Sequence, residues 1–394
     1  MPKIAVIGAG AAGCFCAVNI ARLIPGAQID IYEAGKKPLA KVALTGGGRC
    51  NLTNTFQGVK NLQEVYPRGA NLMKRCLNVF SSRDVREWFR AEGVVTVVED
   101  AGRVFPATQD AMTIVLTLQR CIRENGIRTH LCRRVGNISE FSDCDAVVVT
   151  TGGGALSLLE GSGIGIVQPV PSLFSFETDD RALRALSGLS VPDVRLGIPG
   201  TGFSSNGDIL LTYKGFSGPA ALRLSSFAAR HLAENSYRCP LMVNWTGLGE
   251  QQVRDALLSE ADSQGARMVV NSNPFGLPSR LWEHLTATAG LRADIRWAEI
   301  GRKGINKLTD TLVNYSLQVV GRTAGKDEFV TCGGVSLQEV SSSTLECKKI
   351  PGLYFAGEVL DVDALTGGFN LQAAWSTAYV VAKAVALKCQ MSLR

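Results

Sequence analysis

Four stretches of this chain set clustered glycines beside polar or charged side chains, which is what a backbone needs in order to wrap an anionic or planar ligand. The first is Gly8-Ala9-Gly10-Ala11-Ala12-Gly13. Gly8 permits a sharp turn out of a strand, Gly10 leaves no Cβ between backbone and a pyrophosphate, and Gly13 lets a helix lie close on the strand. Ala9 and Ala12 are small enough to share that approach. The helix that follows would offer free N–H groups and a positive dipole end to phosphates. Glu33 lies about twenty residues further on, where a carboxylate accepts hydrogen bonds from ribose hydroxyls and disfavours a 2′-phosphate. This pattern is a dinucleotide fingerprint, and it serves FAD and NAD equally.

The other three stretches favour FAD. In Lys41-Val42-Ala43-Leu44-Thr45-Gly46-Gly47-Gly48-Arg49-Cys50-Asn51, bare N–H groups stand next to cations. Such a loop can wrap a diphosphate or lie along an isoalloxazine ring; a mobile surface loop is the alternative. Thr150-Thr151-Gly152-Gly153-Gly154 follows an apolar run and can carry the chain across an adenine half, or simply end a strand. Val135, which opens a predicted strand at 135–139, is grouped with these as a cofactor contact. The last stretch runs from Tyr354 to Gln372. Gly357 ends a strand, Glu358 and Asp361 supply acceptors for ribityl hydroxyls, and Gly368 opens a helix at Asn370, Leu371 and Gln372. The N-terminus of that helix would face the N1–C2=O edge of a flavin and stabilise its anionic reduced form.

These residues need elements to hold them. Residues 3–7 (KIAVI) read as a buried parallel strand, Cys14–Leu23 as a helix and 28–33 as a second strand, together a β-α-β unit. Residues 37–56 read as a loop region. Helical patterns follow at Asn71–Val79, Ser82–Glu92 and Asp110–Asn125, with a small β pair at Val94–Glu99 and Arg103–Phe105. Arg128–Arg133, 135–139 and Ala146–Thr150 read as strands. From about 166 to 329 the pattern changes to short β-like runs (Leu173–Glu177, Asp208–Tyr213, Leu241–Trp245) with a few helices, as expected of an inserted mixed domain. A strand at Phe329–Thr331, the run from Leu353 and a final helix from Asn370 to Leu387 return to the first domain. The expected division is 1–165 with 330–394 for a Rossmann-like dinucleotide domain, and 166–329 for a substrate or cap domain.

Bulk properties narrow the class. The 394 residues are 46% hydrophobic and 19% charged, so a sizeable core is available. A net charge of +6 suits anionic ligands but does not by itself argue for nucleic acid. The 11 cysteines include no CxxC pair, which speaks against zinc, a redox dithiol and a disulfide scaffold. Cys50 beside the loop reads as a small buried residue. No signal peptide or long apolar run appears, and a cytoplasmic location is the expectation. The three histidines, His130, His231 and His284, lie outside the glycine motifs and read as structural or exposed. Arg49 could pair with a phosphate, a substrate carboxylate or a structural acid.

KVALTGGGRCNLTN, GDILLTYKGFSGPAALRLS, TCGGVSLQEV and PGLYFAGEVLDVDALTGGFNLQAAWSTAY together resemble the BaiN/YhiN-type flavoproteins. These are bacterial NAD(P)/FAD-dependent oxidoreductases, some labelled aminoacetone oxidases or bile-acid-related reductases. The resemblance covers nearly the whole chain. It implies a glutathione-reductase-type FAD domain with an insert that is part β-barrel and part helical. It also implies that Gly8–Gly13, Glu33, Thr45–Asn51 and Gly357–Gln372 contact FAD. Two departures stand out. Residues 154–165 are shorter than the family's usual segment, and Tyr213 stands where the family carries a histidine. Tyr213 and Lys214 become the acid–base candidates by that alignment, with a packing tyrosine and a solvated lysine as the alternative.

The expected activity is hydride transfer between flavin N5 and a small organic substrate, either reduction of an enone-type C=C or oxidation of an amine or alcohol. A nicotinamide nucleotide, NAD(P)H, would visit as a transient reductant, since no second complete fingerprint is present. The insert would cover the flavin. A flavoprotein that binds or modifies RNA is the rival reading, and a plain NAD-dependent dehydrogenase is a third.

Overall fold

The computed structural model describes residues 1–323 and 330–392. The chain forms two compact units, residues 1–170 with 330–394, and residues 171–329.

The first unit begins with β1 (Lys3–Ile7), α1 (Ala11–Leu23), β2 (Gln28–Tyr32), α2 (Ala40–Gly48) and β3 (Thr53–Asn54). It continues through α3 (Ala70–Val79), α4 (Ser82–Ala91), β4 (Thr96–Val98), β5 (Arg103–Pro106), α5 (Met112–Glu124), β6 (Arg128–His130), β7 (Ala146–Val149) and β8 (Ile166–Ser172). The second unit holds β9 (Phe176–Thr178), α6 (Arg181–Ala185), β10 (Ser190–Gly197), β11 (Ser204–Leu211), β12 (Gly215–Ser217), α7 (Pro219–Phe227) and α8 (Ala229–Glu234). It ends with β13 (Cys239–Asn244), α9 (Glu250–Ser263), α10 (Ser279–Thr288), α11 (Gly301–Val313) and β14 (Tyr315–Arg322). The chain then completes the first unit with β15 (Val330–Val335), β16 (Leu353–Phe355) and α12 (Phe369–Ser392).

The first unit is built on a parallel sheet of order β16-β7-β1-β2-β6. Its central strand β1 pairs Ile4 with Ile29 on one side and Ala146 on the other. Ile4, Val6, Ile31 and Val148 are fully buried, because helices cover both faces of a parallel sheet and leave no side for water. α1 and α12 pack together, and Phe15, Phe89 and Trp375 meet between them. A small antiparallel sheet of order β3-β5-β4 stands apart from the main one.

The second unit is a closed antiparallel barrel of order β10-β11-β12-β9-β14-β13, with α9, α10 and α11 beside it. Closure leaves no free sheet edge. Alternate residues such as Val194, Leu196, Ile209, Leu211, Leu241 and Val243 fill its interior.

Several expectations need correction. The Rossmann helix starts at Ala11, with Gly10 as its N-cap. Residues 37–56 are not all loop: Leu39 to Leu44 supply helix formers, and α2 forms there. The strand expected at 135–139 is absent. Asn137 instead caps a short 3₁₀ turn, Ile138–Phe141, by accepting from Ser139 N at 2.9 Å. Glu140 reaches back to Gly136 N and Asn137 N at 2.8 and 3.1 Å, so a capping box outcompetes extension. β9 begins only at Phe176 and β11 stops at Leu211, which leaves Tyr213 in the turn that follows. Phe329, placed at the start of a strand, lies outside the described residues.

Candidate cofactor site

Gly13 lets α1 lie close on the end of β1, and Gly8 lets that end lie close on the residues after β7. A Cβ on Gly13 would sit 1.9 Å from the Gly8 carbonyl oxygen and 2.5 Å from Thr150 Oγ1. A Cβ on Gly8, whose φ is +108°, would meet the Thr150 carbonyl oxygen at 2.6 Å. Thr150 locks the junction by donating to the Ile7 and Gly8 carbonyls at 3.0 and 2.9 Å. Gly10 differs: nothing lies within 4 Å of where its Cβ would be. The space is open in front of the α1 N-terminus, whose first N–H groups have no acceptor within the helix. Glu33 Oε2 accepts from Ala9 N at 2.8 Å and Oε1 from Gly35 N at 2.6 Å, which fixes the carboxylate at the tip of β2. Ala12 stands against Gly357, where an added Cβ would come within 2.8 Å of it. An open glycine cradle, a helix N-terminus and a pinned acid fit the pyrophosphate and ribose of a dinucleotide.

The second stretch folds as α2 and then breaks. Thr45 leaves helical geometry, and Gly46, Gly47 and Gly48 follow at φ of +59°, +67° and +84°. Three successive left-handed residues are accessible only to glycine at low cost, so the loop exposes consecutive backbone amides. Thr45 Oγ1 donates to the Val42 carbonyl at 2.8 Å. Asn51, with its amide nitrogen turned toward the Thr53 carbonyl and its oxygen toward Gly368 N, both at 3.1 Å, ties this loop to the turn before α12. Arg49 is engaged by Glu99 and Gln109, each at 3.1 Å, and lies over the Phe105 ring. Cys50 is buried, and burial pushes its thiol up to about 12, which keeps it a poor nucleophile.

The third and fourth stretches meet. Gly152 lies near Glu358 and Lys41, whose Nζ is 3.7 Å from Glu358 Oε2. Glu358 Oε1 accepts from Thr331 N at 2.8 Å, so part of its capacity is used to hold β15. Thr151 donates to the Ala155 carbonyl at 3.3 Å. Asp361 N donates to the Val335 carbonyl at 3.0 Å, which makes it a further link to β15. Gly368 is required because a Cβ would strike the Thr53 carbonyl oxygen at 2.3 Å. Asn370 clamps the preceding loop, accepting from Ala364 N at 2.9 Å and donating to the Ala364 carbonyl at 2.8 Å. Leu371 is half-buried on the first turn of α12.

Gln372 is fully buried, accepting from Thr53 Oγ1 and donating to Ser376 Oγ at 2.8 Å, which commits it to the core. Val135 is half-buried against the core in the segment before the 3₁₀ turn. The sequence reading missed Arg68, which forms a two-pronged pair with the wholly buried Asp363 and thereby anchors the loop before α12. It also missed Thr331 and Tyr66, whose hydroxyl donates to the Phe369 carbonyl at 2.8 Å. Nothing in local spacing marks Arg68, since its partner is distant in sequence.

Tyr213 and Lys214 belong to the second unit, in the turn between β11 and β12. The Tyr213 side chain is 68% exposed, and its carbonyl accepts from Arg184 Nε at 2.8 Å. Lys214 Nζ lies 3.3 Å from Glu177 and 6.0 Å from the centre of the Tyr213 ring. His130 meets Asp30 at 2.7 Å, and His284 meets the Tyr315 hydroxyl at 3.0 Å. Among the described residues, Glu92, Cys121 and Glu124 come close enough to share a cation, but Arg22 and Arg120 already hold Glu92 at 2.8 and 3.0 Å. No helix among the described residues is long and apolar enough to cross a membrane.

A parallel sheet of this order, with a glycine cradle at its first helix and an acid at the tip of the second strand, defines a Rossmann-like dinucleotide-binding protein. The chain belongs to the HI0933-like Rossmann-domain family, whose description matches residues 2–384. It is an FAD-dependent oxidoreductase. It is 29% identical over 96% of its length to a ribosomal RNA dihydrouridine synthase of Haemophilus influenzae, covering 97% of that protein. It is 26% identical over 98% of its length to a 3-dehydro-bile acid delta(4,6)-reductase of Clostridium scindens, covering 99% of that protein. Among solved structures, a 3-ketosteroid delta1-dehydrogenase from Sterolibacterium denitrificans is similar in fold. Its TM-score is 0.50 at 11% identity, over 98% of this chain and all of that one.

Proposed function

We propose that the protein reduces a carbon–carbon double bond conjugated to a carbonyl. One observation carries this reading. Two relatives that match from end to end are named for substrates of very different size, a ribosomal RNA and a bile acid. A 3-oxo steroid with Δ4 and Δ6 bonds and a uracil ring share that bond type. Bound FAD would supply the hydride.

The chain's own residues have defined tasks in this reading. Gly8–Gly13 and Glu33 hold the dinucleotide's phosphates and ribose. Lys41, Gly46–Gly48 and the first turn of α12 take the flavin end, where backbone amides and a helix N-terminus favour negative charge on the ring. Thr151, Gly152 and Glu358 line the path between. Tyr213 is the proposed donor of the proton to the carbon that does not receive hydride, with Lys214 beside it; alignment with the family histidine supports this assignment. NADH or NADPH is the proposed reductant, visiting and leaving.

The test is anaerobic. The flavin of the purified protein is reduced with NADH or NADPH and then mixed with a 3-oxo-Δ4 steroid, with uridine-containing RNA, or with an amine. Reoxidation by a conjugated alkene, with the saturated product formed, is expected. Reoxidation only by oxygen, or reduction of the flavin by amines, would overturn the proposal.

A further inference from the structure

The small sheet of order β3-β5-β4 ends on β4, which pairs with β5 on one side only. Ala107 N donates to the Val95 carbonyl and Glu99 N to the Arg103 carbonyl, both at 2.8 Å, and Val97 stands opposite Phe105 between them. An antiparallel ladder alternates, so the N–H and C=O groups of Thr96 and Val98 point away from β5. Among the described residues no hydrogen bond reaches these backbone groups. Around them Val95, Val97 and Val98 are 67%, 36% and 48% exposed. Edge strands are ordinarily blunted by a proline, a charged residue or a bulge. Residues 94–98 (VVTVV) contain neither proline nor charge, and their pairing with β5 runs without a register shift.

Charge is unevenly placed along this edge. Arg86 on α4 donates from Nε to Thr96 Oγ1 at 3.3 Å, which keeps its guanidinium beside the start of the strand. Asp100 follows the other end and is exposed. Among the described residues neither Arg86 nor Asp100 enters an ion pair. We propose that β4 pairs with β4 of a second copy of this chain, antiparallel about a two-fold axis at Val97. In this register Thr96 lies opposite the partner's Val98 and Val98 opposite the partner's Thr96, so the outward N–H and C=O groups satisfy one another across the axis. Val97 meets the partner's Val97, and the exposed valines cover each other. Thr96, Val98 and Asp100 share the strand's alternation, so the partner's Asp100 falls on the diagonal from Thr96, within the span of the Arg86 side chain. Symmetry makes this contact twice. A parallel arrangement would set Arg86 beside Arg86 and Asp100 beside Asp100, so charge selects the antiparallel one.

Sedimentation equilibrium of the full-length, FAD-loaded protein at low salt, from about 1 to 100 μM, reads the association directly. A reversible monomer–dimer equilibrium is expected. Val97→Lys sets two ammonium groups together at the axis and is expected to weaken the dimer roughly 100-fold. Its flavin content and thermal stability should match the parent's, which separates lost pairing from lost folding. Arg86→Glu and Asp100→Lys are each expected to weaken self-association about tenfold. An equimolar mixture of those two variants is expected to dimerise as the parent does, because every like-charged contact in the separate variants becomes an opposite-charged one. A parent that stays monomeric throughout, a Val97→Lys protein that dimerises as the parent does, or a mixture no more dimeric than its two components overturns the proposal.

Discussion

Gly10 and Gly13 share one turn at the start of α1, yet a side chain would meet different things at each. Open space lies over Gly10, so Gly10→Val should fold with unchanged thermal stability and lose FAD, read as loss of the flavin absorbance after gel filtration. A Cβ at Gly13 would collide with backbone at 1.9 Å, so Gly13→Ala should lower stability by about 1–3 kcal/mol or more in a denaturant titration. Retained flavin in the first variant would refute the cradle assignment. Tyr213 is a separate question, because its ring is mostly exposed. Tyr213→Phe should leave reduction of the flavin by NADH or NADPH untouched and slow reoxidation by an enone about 10²-fold or more. An unaltered reoxidation rate would reduce Tyr213 to a surface residue. The glycine and acid positions were legible in sequence because close approach restricts residue type. The partners of Gln372, Arg49 and Val135 were not, since a side chain's partner is set by whatever the fold brings beside it.

Pairs that join elements carry their own tests. Asp363 is fully buried, and Arg68 compensates its charge while fixing the loop that leads into α12. Asp363→Ala removes one member of this buried pair and should cost about 3–5 kcal/mol, measured by urea unfolding. At the sheet edge, Asp30 on β2 is paired with Arg128 on β6 at 2.6 Å and His130 at 2.7 Å. Burial pushes the Asp30 carboxyl up, but the hydrogen bonds from Arg128, His130 and Gln28 outweigh it and hold the group below the usual carboxylate range. With a folded-state pKa below the unfolded one, the stabilisation is present above the ordinary carboxylate range and is lost as pH falls through the folded value. Unfolding free energy should therefore drop on acidification, and Asp30→Asn should flatten that part of the profile. A parallel profile in the variant would rule Asp30 out as its source. The capping box at 137–140 belongs to this scale too. Its residues are plain in sequence, but the apolar Val135 and Ile138 make 135–139 read as a strand, and only the reciprocal bonds of Asn137 and Glu140 show the cap.

Two hydrophobic cores divide the whole molecule. One joins β1, β7 and β16 to α1, α5 and α12; the other fills the barrel and the helices α9 to α11. Denaturation should accordingly depart from a single two-state transition. FAD at about 100 times its Kd should stabilise the unit that binds it by roughly 2.7 kcal/mol and leave the other transition in place. A single transition that moves as a whole with FAD would show the two cores to be one cooperative body.

What the sequence determined by itself was the dinucleotide-binding fold, because glycines at close contacts, an acid at a strand tip and unbroken apolar strands are demanded locally by backbone sterics and burial. Only the tertiary structure decided which polar side chains remain for a ligand. Arg68 and Asp363, Thr53 and Gln372, and Glu358 and Thr331 lie far apart along the chain, and a hydrogen bond between such partners exists only once the sheet and α12 have brought them within reach.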